Sequence, residues 1–459
     1  MHDKPLSDLT PAERRALLKE LLRKKTAPET QAPPALVPDP GARFEPFPPT
    51  PIQEAYLLGR RPGFTVSGVG CHAYSECDTG AIDPDRLEAA WNALVARHDM
   101  LRAVVTADAV RVLPDVPVYR FARLDLRGRP AADVDATLAR IGRELATSFR
   151  DPGVWPPFEV RLTRLADDRW RLHVDLDLMT IDAAATLRIV HEWGRLYAGE
   201  SLPALPALSF RDYRLALRTF EDGPAARQAR AYWEPRLATL PGPPDLPLVA
   251  DPHAAATAPT RRTFRLSPAR WAEFRAQAQA HGVTPNAALA TAFSAALSAY
   301  SHNDAHALTV TLFDRQPLHP DVGQLLGEFT NTLLLEVRGR AGSFAARAQA
   351  LQAQLTRDLE HTAWSGVHVV RELNRRRGGI TSFPVVFTST LASRAGATPG
   401  GWLGEWTAGA SQTPQVFLDH QIFEEDGGLR INWDTVDAVF APGVIEALFA
   451  GWSALVDRL

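Results

Sequence analysis

Strand-like and helix-like patterns alternate along this sequence from Phe44 to its C-terminal end. Apolar residues recur at every second position in the strand-like stretches and at helical spacing in the others. Several helices start with a capping residue followed by proline, a pair that suits the first helical turn: Asp83-Pro84, Ser267-Pro268 and Thr284-Pro285. The alternation predicts the α/β fold class, with two lobes of similar size behind an N-terminal helix.

The same patterns predict individual elements. Beyond the capped helices, we expect helices over about 134–149, around 351–359 and around 444–452. Strands are expected at about 101–105, 158–165, 169–178, 308–313, 384–391 and 414–422. The last of these should form a hairpin with a strand at 429–433, because Asp426, Gly427 and Gly428 make a turn between them.

Composition excludes several classes of protein. The chain has 459 residues, enough for two to four domains at roughly 100–200 residues each. Its 50 basic and 53 acidic residues give a net charge of −3, so nothing attracts the chain as a whole to nucleic acid or to an anionic membrane. The N-terminus lacks the apolar core of a signal peptide, and no uncharged apolar run reaches about 18 residues. We expect a cytoplasmic protein with no nucleic-acid or membrane partner.

The two cysteines, Cys71 and Cys77, fit a reducing compartment. His72 lies between them, but no second Cys/His pair completes a zinc ligand set, so no metal site is predicted. Residues six apart share a face of a strand, and we interpret both cysteines as small buried side chains. The motifs GxxxxGK[ST], HExxH and GxSxG are absent, which argues against a phosphate-binding loop, a zinc protease and an α/β-hydrolase.

A short basic amphipathic helix is predicted near the N-terminus. Thr10 and Glu13 form a capping box, with Pro11 at the first helical position. Its apolar stripe consists of Leu17, Leu18, Leu21 and Leu22. Residues 26–42 are rich in proline and lack periodicity, as expected of an extended linker. A helix isolated in this way is marginally stable, so its leucines should dock on a partner surface or, alternatively, on their own domain.

Two carboxylates flank a predicted strand-to-helix turn. In the strand at 169–178 the apolar residues alternate with Arg171, His173, Asp175 and Asp177, so one face is core and the other is polar. Asp182 directly precedes a helix, where it is both a good N-cap and a candidate ligand-binding group. Asp177 has no capping role but could pair with an arginine. The turn is therefore a candidate site with a structural alternative.

The DxxxxD spacing of Asp177 and Asp182 resembles a motif variant of heterocyclization domains, which are condensation-type domains of nonribosomal peptide synthetases. Other condensation-type domains carry HHxxxDG there, and Leu178 takes the place of the second histidine, the usual base. Ala183 and Glu328 depart from the family pattern. Further segments resemble the family in collinear order from about residue 44 to the end: FPPTPIQEAYLLGR (47–60), GVGCHAYSECD (68–78), RHDMLRAV (97–104), LSFRDYRLA (208–216), FDRQPLHPDVGQLLGEFTN (313–331), FPVVFTS (383–389), SQTPQVFLDHQ (411–421) and WDTVDAVFAPG (433–443).

The resemblance implies a fold similar to chloramphenicol acetyltransferase, a V-shaped pseudo-dimer of two α/β lobes with a central tunnel. The expected divisions are a docking helix at 1–25, a linker at 26–42, an N-terminal lobe at 43–225 and a C-terminal lobe at 226–459. The implied enzyme condenses a carrier-bound acyl or aminoacyl thioester with carrier-bound Cys, Ser or Thr, then cyclises and dehydrates the product to a thiazoline or oxazoline. The alternatives are a condensation domain that only forms amides and a catalytically silent carrier-docking module.

The resemblance also implies roles for single residues. Asp419 is the first candidate for proton relay during dehydration, because a mid-strand carboxylate among apolar neighbours should have a raised pKa. Gln415 is expected on the same strand face as Asp419. Thr388 should orient Asp419 or relay its proton. Asn331 and Asp434 are weaker candidates for polarising the amide carbonyl.

Other residues of the motifs are expected to be structural. Asp182 should pair with Arg315 across the tunnel, and Asp177 should support the same turn. His420 should be a hydrogen-bonded core histidine that points away from Asp419. No cofactor is expected in this chain, because the substrates arrive on phosphopantetheine arms of partner carrier proteins. The expected partners are an upstream carrier protein or synthetase subunit, received by the N-terminal helix, and a downstream peptidyl carrier protein.

Overall fold

The computed structural model describes residues 36–255, 257–339, 341–391 and 401–459. The helix predicted at 11–25, with Leu17, Leu18, Leu21 and Leu22, and most of the linker predicted at 26–42 lie outside the described residues.

The helices of the described chain begin largely where capping residues predict. Asp83, Ser267 and Thr284 each accept a backbone N–H at a helix start, as expected. The helices are α1 (Pro51–Gly59), α2 (Pro84–Arg97), α3 (Ala131–Ala146), α4 (Ala183–Tyr197), α5 (Phe210–Glu221), α6 (Pro224–Trp233), α7 (Pro268–Ala280), α8 (Pro285–Tyr300), α9 (Phe344–Leu359), α10 (Gly366–Arg377) and α11 (Val444–Arg458).

Within the described ranges, the strands form two large sheets and one short ribbon. They are β1 (His72–Thr79), β2 (Ala103–Val105), β3 (Val110–Val112), β4 (Ala122–Asp125), β5 (Phe158–Ala166), β6 (Arg169–Asp177), β7 (Thr260–Leu266), β8 (Ala305–Phe313), β9 (Thr330–Arg338), β10 (Val385–Ser389), β11 (Glu405–Gln412), β12 (Leu418–Glu425) and β13 (Gly428–Thr435). In the described residues the first sheet has the order β11-β1-β6-β5-β4, and the second has the order β7-β13-β12-β10-β8-β9.

One strand crosses from the second half of the chain to the first sheet. β11 pairs antiparallel with β1, from His72 opposite Gln412 to Asp78 opposite Glu405. The other strands of the first sheet come from residues before 180, and all strands of the second sheet follow residue 259. The lobe bounds of 43–225 and 226–459 stay a prediction. A boundary at 225/226 would assign β11 to the C-terminal lobe, although this strand belongs to the first sheet.

Several predicted elements differ in their bounds, among them the following three. The strand expected at 101–105 starts only at Ala103, because a 3₁₀ turn occupies Asp99–Arg102. The helix expected over 134–149 is shifted to Ala131–Ala146. The strand expected at 414–422 begins at Leu418, since Gln415 has a φ of 67°, a left-handed conformation that no strand accommodates. Gln415 is therefore not on the strand of Asp419, which corrects that prediction.

Each large sheet has its own apolar core. In the first, Trp91 of α2 and Trp193 of α4 pack edge to face, with ring centroids 4.7 Å apart. Cys71 and Cys77 are fully buried in this core, as predicted. In the core of the second sheet, Trp433 of β13 packs against Trp452 of α11, with ring centroids 5.1 Å apart. The opposite face of the first sheet is covered by α3, whose Ile141 and Leu145 pack against Tyr74 of β1.

Candidate functional site

A cavity of about 730 Å³ lies between the two sheets. Its wall combines β1 and β11 of the first sheet with strands of the second sheet and with the first turns of α4. The predicted residues Asp419, Thr388, Asp182 and Gln415 all line this cavity. The fold thus brings these residues from distant parts of the sequence to one internal space.

Asp419 lies near the start of β12, between β10 and β13. Its Oδ1 accepts a hydrogen bond from Thr388 Oγ1 at 3.1 Å, and its Oδ2 accepts one from Gln421 Nε2 at 2.7 Å. The side chain lies deep inside the protein but is partly exposed to the cavity. Burial raises the pKa of Asp419 to about 6, and the charge of Asp434 adds to this while the hydrogen bonds of Gln421 and Thr388 oppose it. A carboxyl with such a pKa both donates and accepts protons near neutral pH.

Thr388 lies on β10 with its hydroxyl toward the cavity. Its neighbour Ser389 points to the other face of the strand, where its Oγ donates to Asn286 Oδ1 at 2.6 Å, so of the two residues only Thr388 lines the cavity. Thr388 Oγ1 also lies 3.0 Å from Thr311 Oγ1 on β8. The expected contact between Thr388 and Asp419 is present.

Asp434 lies behind the cavity wall. Arg261 donates to both of its carboxylate oxygens, at 2.7 and 2.5 Å, and the Ser411 hydroxyl donates to Oδ2 at 2.7 Å. An ionised carboxylate only accepts hydrogen bonds, so Asp434 in this arrangement has no donor for a substrate carbonyl. Instead it holds Arg261 and Ser411, which do line the cavity. The contacts favour a positioning role for Asp434 over the polarising role predicted for it.

Asn331 lies beside a smaller cavity of about 60 Å³, which shares the wall residues Glu328, Thr330 and Thr332 with the large one. Its side-chain amide donates to Asp314 Oδ2 and to the carbonyl of Thr362, both at 3.0 Å. These bonds occupy both amide hydrogens. The structure does not bring Asn331 to the wall of the large cavity, and its predicted contact with a substrate carbonyl stays a prediction.

Asp182 joins three parts of the fold at the edge of the cavity. It caps α4 by accepting from Ala185 N at 2.7 Å, and Arg315 Nη2 lies 3.0 and 3.1 Å from its two oxygens. The Asp182 side chain is fully buried. Glu328 lies close by, and burial together with the Asp182 charge raises its pKa well above the usual range. Burial also raises the pKa of Asp182, and the charge of Arg315 opposes that rise across the predicted contact.

Asp177 stabilises the turn between β6 and α4, which ends at Asp182. Its Oδ1 accepts from Met179 N at 2.8 Å, and Arg60 Nη2 lies 3.5 Å from Oδ2. Asp177 is buried away from the cavity, whereas Leu178 lines it. Burial raises the pKa of Asp177, and the Arg60 charge opposes that rise. These contacts agree with the structural role predicted for this carboxylate.

Two details differ from the sequence expectation. Gln415 reaches the cavity from the loop before β12, where its backbone N–H donates to Val66 O at 3.0 Å.

His420 points away from the cavity, as expected, but both of its ring nitrogens lack hydrogen-bond partners among the described residues. Aromatic side chains enclose the ring, whose centroid lies 4.5 Å from that of Phe293 and 5.1 Å from that of Phe387. Burial lowers the pKa of His420 to about 3. His420 is a neutral core residue.

Among the polar features of the cavity wall that sequence reasoning missed are Thr311, Arg261 and the raised pKa of Glu328. Strand alternation through 308–313 could have placed Thr311 on the polar face. Nothing local marks Arg261, since Arg262 beside it points to Asp437 instead. The raised pKa of Glu328 depends on burial and on the charge of Asp182, which is distant in sequence.

No group of three or more His, Cys, Asp and Glu side chains in the described ranges is arranged to hold a metal ion. Within the same ranges, no helix has the length and apolar character needed to cross a membrane.

Several known proteins are similar to this chain in both sequence and fold. The chain is 38% identical over 468 aligned residues to the pyochelin synthetase PchF of Pseudomonas aeruginosa, covering 100% of this chain and 25% of that protein. It is 40% identical over 423 residues to the phenyloxazoline synthase MbtB of Mycolicibacterium paratuberculosis, covering 90% of this chain and 36% of that protein. The chain thus spans about a quarter to a third of the length of these curated relatives.

Among solved structures, the EpoB NRPS cyclization-docking bidomain from Sorangium cellulosum superposes with a TM-score of 0.86 at 34% identity, covering 98% of this chain and 92% of that one. This similarity confirms the two-lobed α/β fold of the chloramphenicol acetyltransferase type. The family profile described as "Condensation domain" matches residues 72–457, which include both sheets and the whole cavity wall formed by them. The chain therefore belongs to the condensation-domain family of the nonribosomal peptide synthetases.

Proposed function

We propose that this chain is a heterocyclization domain that joins a carrier-bound acyl or aminoacyl thioester to carrier-bound Cys, Ser or Thr and converts the product to a thiazoline or oxazoline. The observation that carries the proposal is the contact of Thr388 with Asp419 in the cavity, because this acid has a pKa near 6. The names of the relatives support it, since they include a phenyloxazoline synthase and a cyclization domain.

The first step, amide formation, depends mainly on positioning. A thioester is already activated, so an amine held against its carbonyl needs little more than an acceptor for the proton it loses. Leu178 occupies the cavity wall at the position where amide-forming members of the family carry their usual histidine base. The absence of an imidazole there disfavours the alternative of a domain that forms only amides.

The second step needs both an acid and a base. The thiol or hydroxyl of the acceptor side chain adds to the new amide carbonyl, and the resulting hemiaminal carries a hydroxyl on the same carbon. That C–O bond breaks as Asp419 in its acid form protonates the departing oxygen, and water leaves. The Asp419 carboxylate then takes the proton from nitrogen as the C=N bond forms. Asp419 ends in its starting state, and one water is lost overall.

The alternative of a silent carrier-docking module leaves this arrangement unexplained. Asp419, Gln421, Ser411, Asp434 and Arg261 form a continuous set of hydrogen bonds along the cavity wall. Burying such a set is costly unless every group has a partner, and it adds nothing to a module that only binds carriers on its surface.

The test is a reconstitution with two loaded carrier proteins. The donor carrier bears an acyl group and the acceptor carrier bears cysteine, serine or threonine, and intact mass spectrometry follows the acceptor. We expect an amide product followed by a species one water lighter. An alanyl-loaded acceptor is the matched control, because it forms the amide but has no side-chain nucleophile for ring closure. An amide that keeps its full mass with cysteine, serine and threonine alike would refute the proposal.

We further propose that the chain receives its donor from an upstream synthetase subunit through the helix predicted at 11–25, and its acceptor from a downstream peptidyl carrier protein. The phosphopantetheine arms of these carriers would bring the substrates into the cavity. Lys and Arg flank the leucine stripe of that helix, so an acidic partner segment fits it, and the association should weaken as salt rises. Titration of the full chain with the upstream subunit at low and high salt measures this. An affinity independent of salt would contradict it.

A further inference from the structure

We propose that Thr311 is a positioning residue for ring closure, which holds the hydroxyl of Thr388 in line with Asp419. This inference rests on the proposed heterocyclization function and adds a residue to it. Thr311 lies on β8, directly opposite Thr388 in the parallel pairing of β8 with β10, and both line the cavity.

The geometry places Thr388 between two oxygen atoms. Its Oγ1 is 3.0 Å from Thr311 Oγ1 on one side and 3.1 Å from Asp419 Oδ1 on the other. A hydroxyl has one proton to donate, so Thr388 cannot donate to both neighbours at once. One of the two contacts must therefore have its donor on the other residue.

The direction of these bonds follows the charge of Asp419. Asp419 Oδ2 is occupied by Gln421 Nε2 at 2.7 Å, which leaves Oδ1 as the oxygen that carries the exchangeable proton. When Asp419 is ionised, Thr388 donates to it and accepts from Thr311. When Asp419 is protonated, Asp419 donates to Thr388, and Thr388 donates to Thr311. Thr311 thus completes the hydrogen bonds of Thr388 in both states.

Without the Thr311 hydroxyl, Thr388 loses a partner in each state. With Asp419 protonated, the Thr388 proton has no acceptor inside the wall, and the hydroxyl rotates toward the cavity. With Asp419 ionised, the donor bond to the carboxylate loses the polarisation that a second hydroxyl provides. Amide formation does not use this pair, so the loss should appear in ring closure alone.

The experiment compares three variants with the wild-type chain in the reconstitution with cysteinyl carrier. Thr311→Val removes the hydroxyl and keeps the shape, and Thr311→Ser restores the hydroxyl. Thr309→Val is the matched control, because Thr309 is two residues earlier on the same strand but donates to the carbonyl of Phe383 at 3.1 Å. Intact mass over time gives separate rates for amide formation and for loss of water.

We expect Thr311→Val to lose water roughly five- to tenfold more slowly, the effect of one neutral hydrogen bond, with amide formation within about twofold of wild type. Thr311→Ser should recover most of the lost rate, and Thr309→Val should match wild type in the ratio of the two rates. In a Thr388→Val background, Thr311→Val should add no further loss, because Thr311 acts through Thr388.

The amide-forming rate shows in the same assay that each variant is folded. Ring closure by Thr311→Val at the wild-type rate would overturn the inference while leaving the proposed function intact. So would a Thr311→Ser variant no faster than Thr311→Val, or a full further loss in the Thr388→Val background. A wild-type chain that forms the amide and never loses water would overturn the proposed function, and this inference with it.

Discussion

Asp419 shows how much a single residue depends on its surroundings. In a water-exposed loop its carboxyl would be ionised above about pH 4 and would be a poor acid at neutral pH. On β12 it is enclosed by the second sheet and faces the charge of Asp434, and its pKa rises to about 6. The nearby Arg261 counteracts this rise but is itself held by Asp434. The surroundings of Asp419 therefore make it a usable acid near neutral pH, because they raise its pKa above that of an ordinary aspartate.

Replacing Asp419 should separate the two chemical steps. We expect Asp419→Asn and Asp419→Ala to form the amide at a rate within about threefold of wild type, while loss of water slows by about a hundredfold or more, the typical contribution of a general acid. Intact mass of the acceptor carrier distinguishes the two products by one water. Equal losses in both steps would mean that Asp419 holds the cavity together and does not relay the proton.

The pH dependence of ring closure follows from the raised pKa. The acid form of Asp419 is dominant below about pH 6 and is lost as the pH rises through that value. The rate of water loss from accumulated amide should therefore fall with increasing pH above about 6 in the wild type. The small residual rate of Asp419→Asn should not show this inflection. Stopped time courses between pH 5 and 8 measure both, and an inflection that persists in Asp419→Asn would assign it to another group.

At the scale of an element, Asp182 connects the start of α4 to the second half of the chain. Its oxygens serve both the helix N-cap and Arg315, whose guanidinium also lies 3.8 Å from the centre of the Phe329 ring. Burial and the charge of Asp182 raise the pKa of Glu328 beside it, and the charge of Arg315 opposes the rise for both carboxyls. The Arg315 contact and the N-cap hydrogen bond offset the cost of burying the Asp182 carboxyl at the edge of the cavity.

We expect Asp182→Ala to lower the free energy of unfolding by about 3–5 kcal/mol, because it removes a fully buried carboxylate and leaves the largely enclosed Arg315 without its charged partner. Asp83→Ala is a matched control, since Asp83 also caps a helix but is exposed and should cost only about 1 kcal/mol. Thermal and urea denaturation of the variants measure the difference. A well-folded but inactive Asp182→Ala variant would assign a chemical role to this residue.

At the scale of the whole molecule, β11 is the strand that joins the two sheets around the cavity. Trp402 precedes it and packs on α4, where its indole N–H donates to Val190 O at 3.1 Å. Gly194 makes room for this ring, because a Cβ at that position would lie 2.6 Å from the indole nitrogen. Ser411 at the other end of β11 bonds to Asp434 of the second sheet. The strand is thus anchored to both lobes.

Gly194→Ala should loosen this anchor. Alanine is intrinsically better in a helix than glycine by up to about 1 kcal/mol, but here the methyl group displaces Trp402. We expect faster hydrogen exchange of the β11 amides, Glu405–Gln412, and a lower melting temperature. Gly451→Ala on α11 is the control, because a Cβ there meets nothing within 4 Å, and it should stabilise the chain slightly. Unchanged exchange of β11 in Gly194→Ala would show that Trp402 does not hold the strand.

The sequence by itself determined the local structure and the identity of the central pair. Capping residues set the starts of α2, α7 and α8, since a cap and the first turn are neighbours in sequence. Motif resemblance indicated that Thr388 works with Asp419 and that Asp182 pairs with Arg315, and these contacts are present. The resemblance indicated Thr388 for the cavity, and Thr388 does line it.

Only the tertiary structure decided what depends on distant parts of the chain. The left-handed conformation of Gln415 and the late start of β12 follow from the bond of this loop to Val66, more than 300 residues away in sequence. The pairing of β11 with β1, the engagement of Asp434 by Arg261 and the enclosure of His420 by aromatic rings likewise have no local signal. The pKa of Asp419 belongs with these features, because desolvation and charge are set by whatever the fold packs around a group and not by its neighbours in sequence.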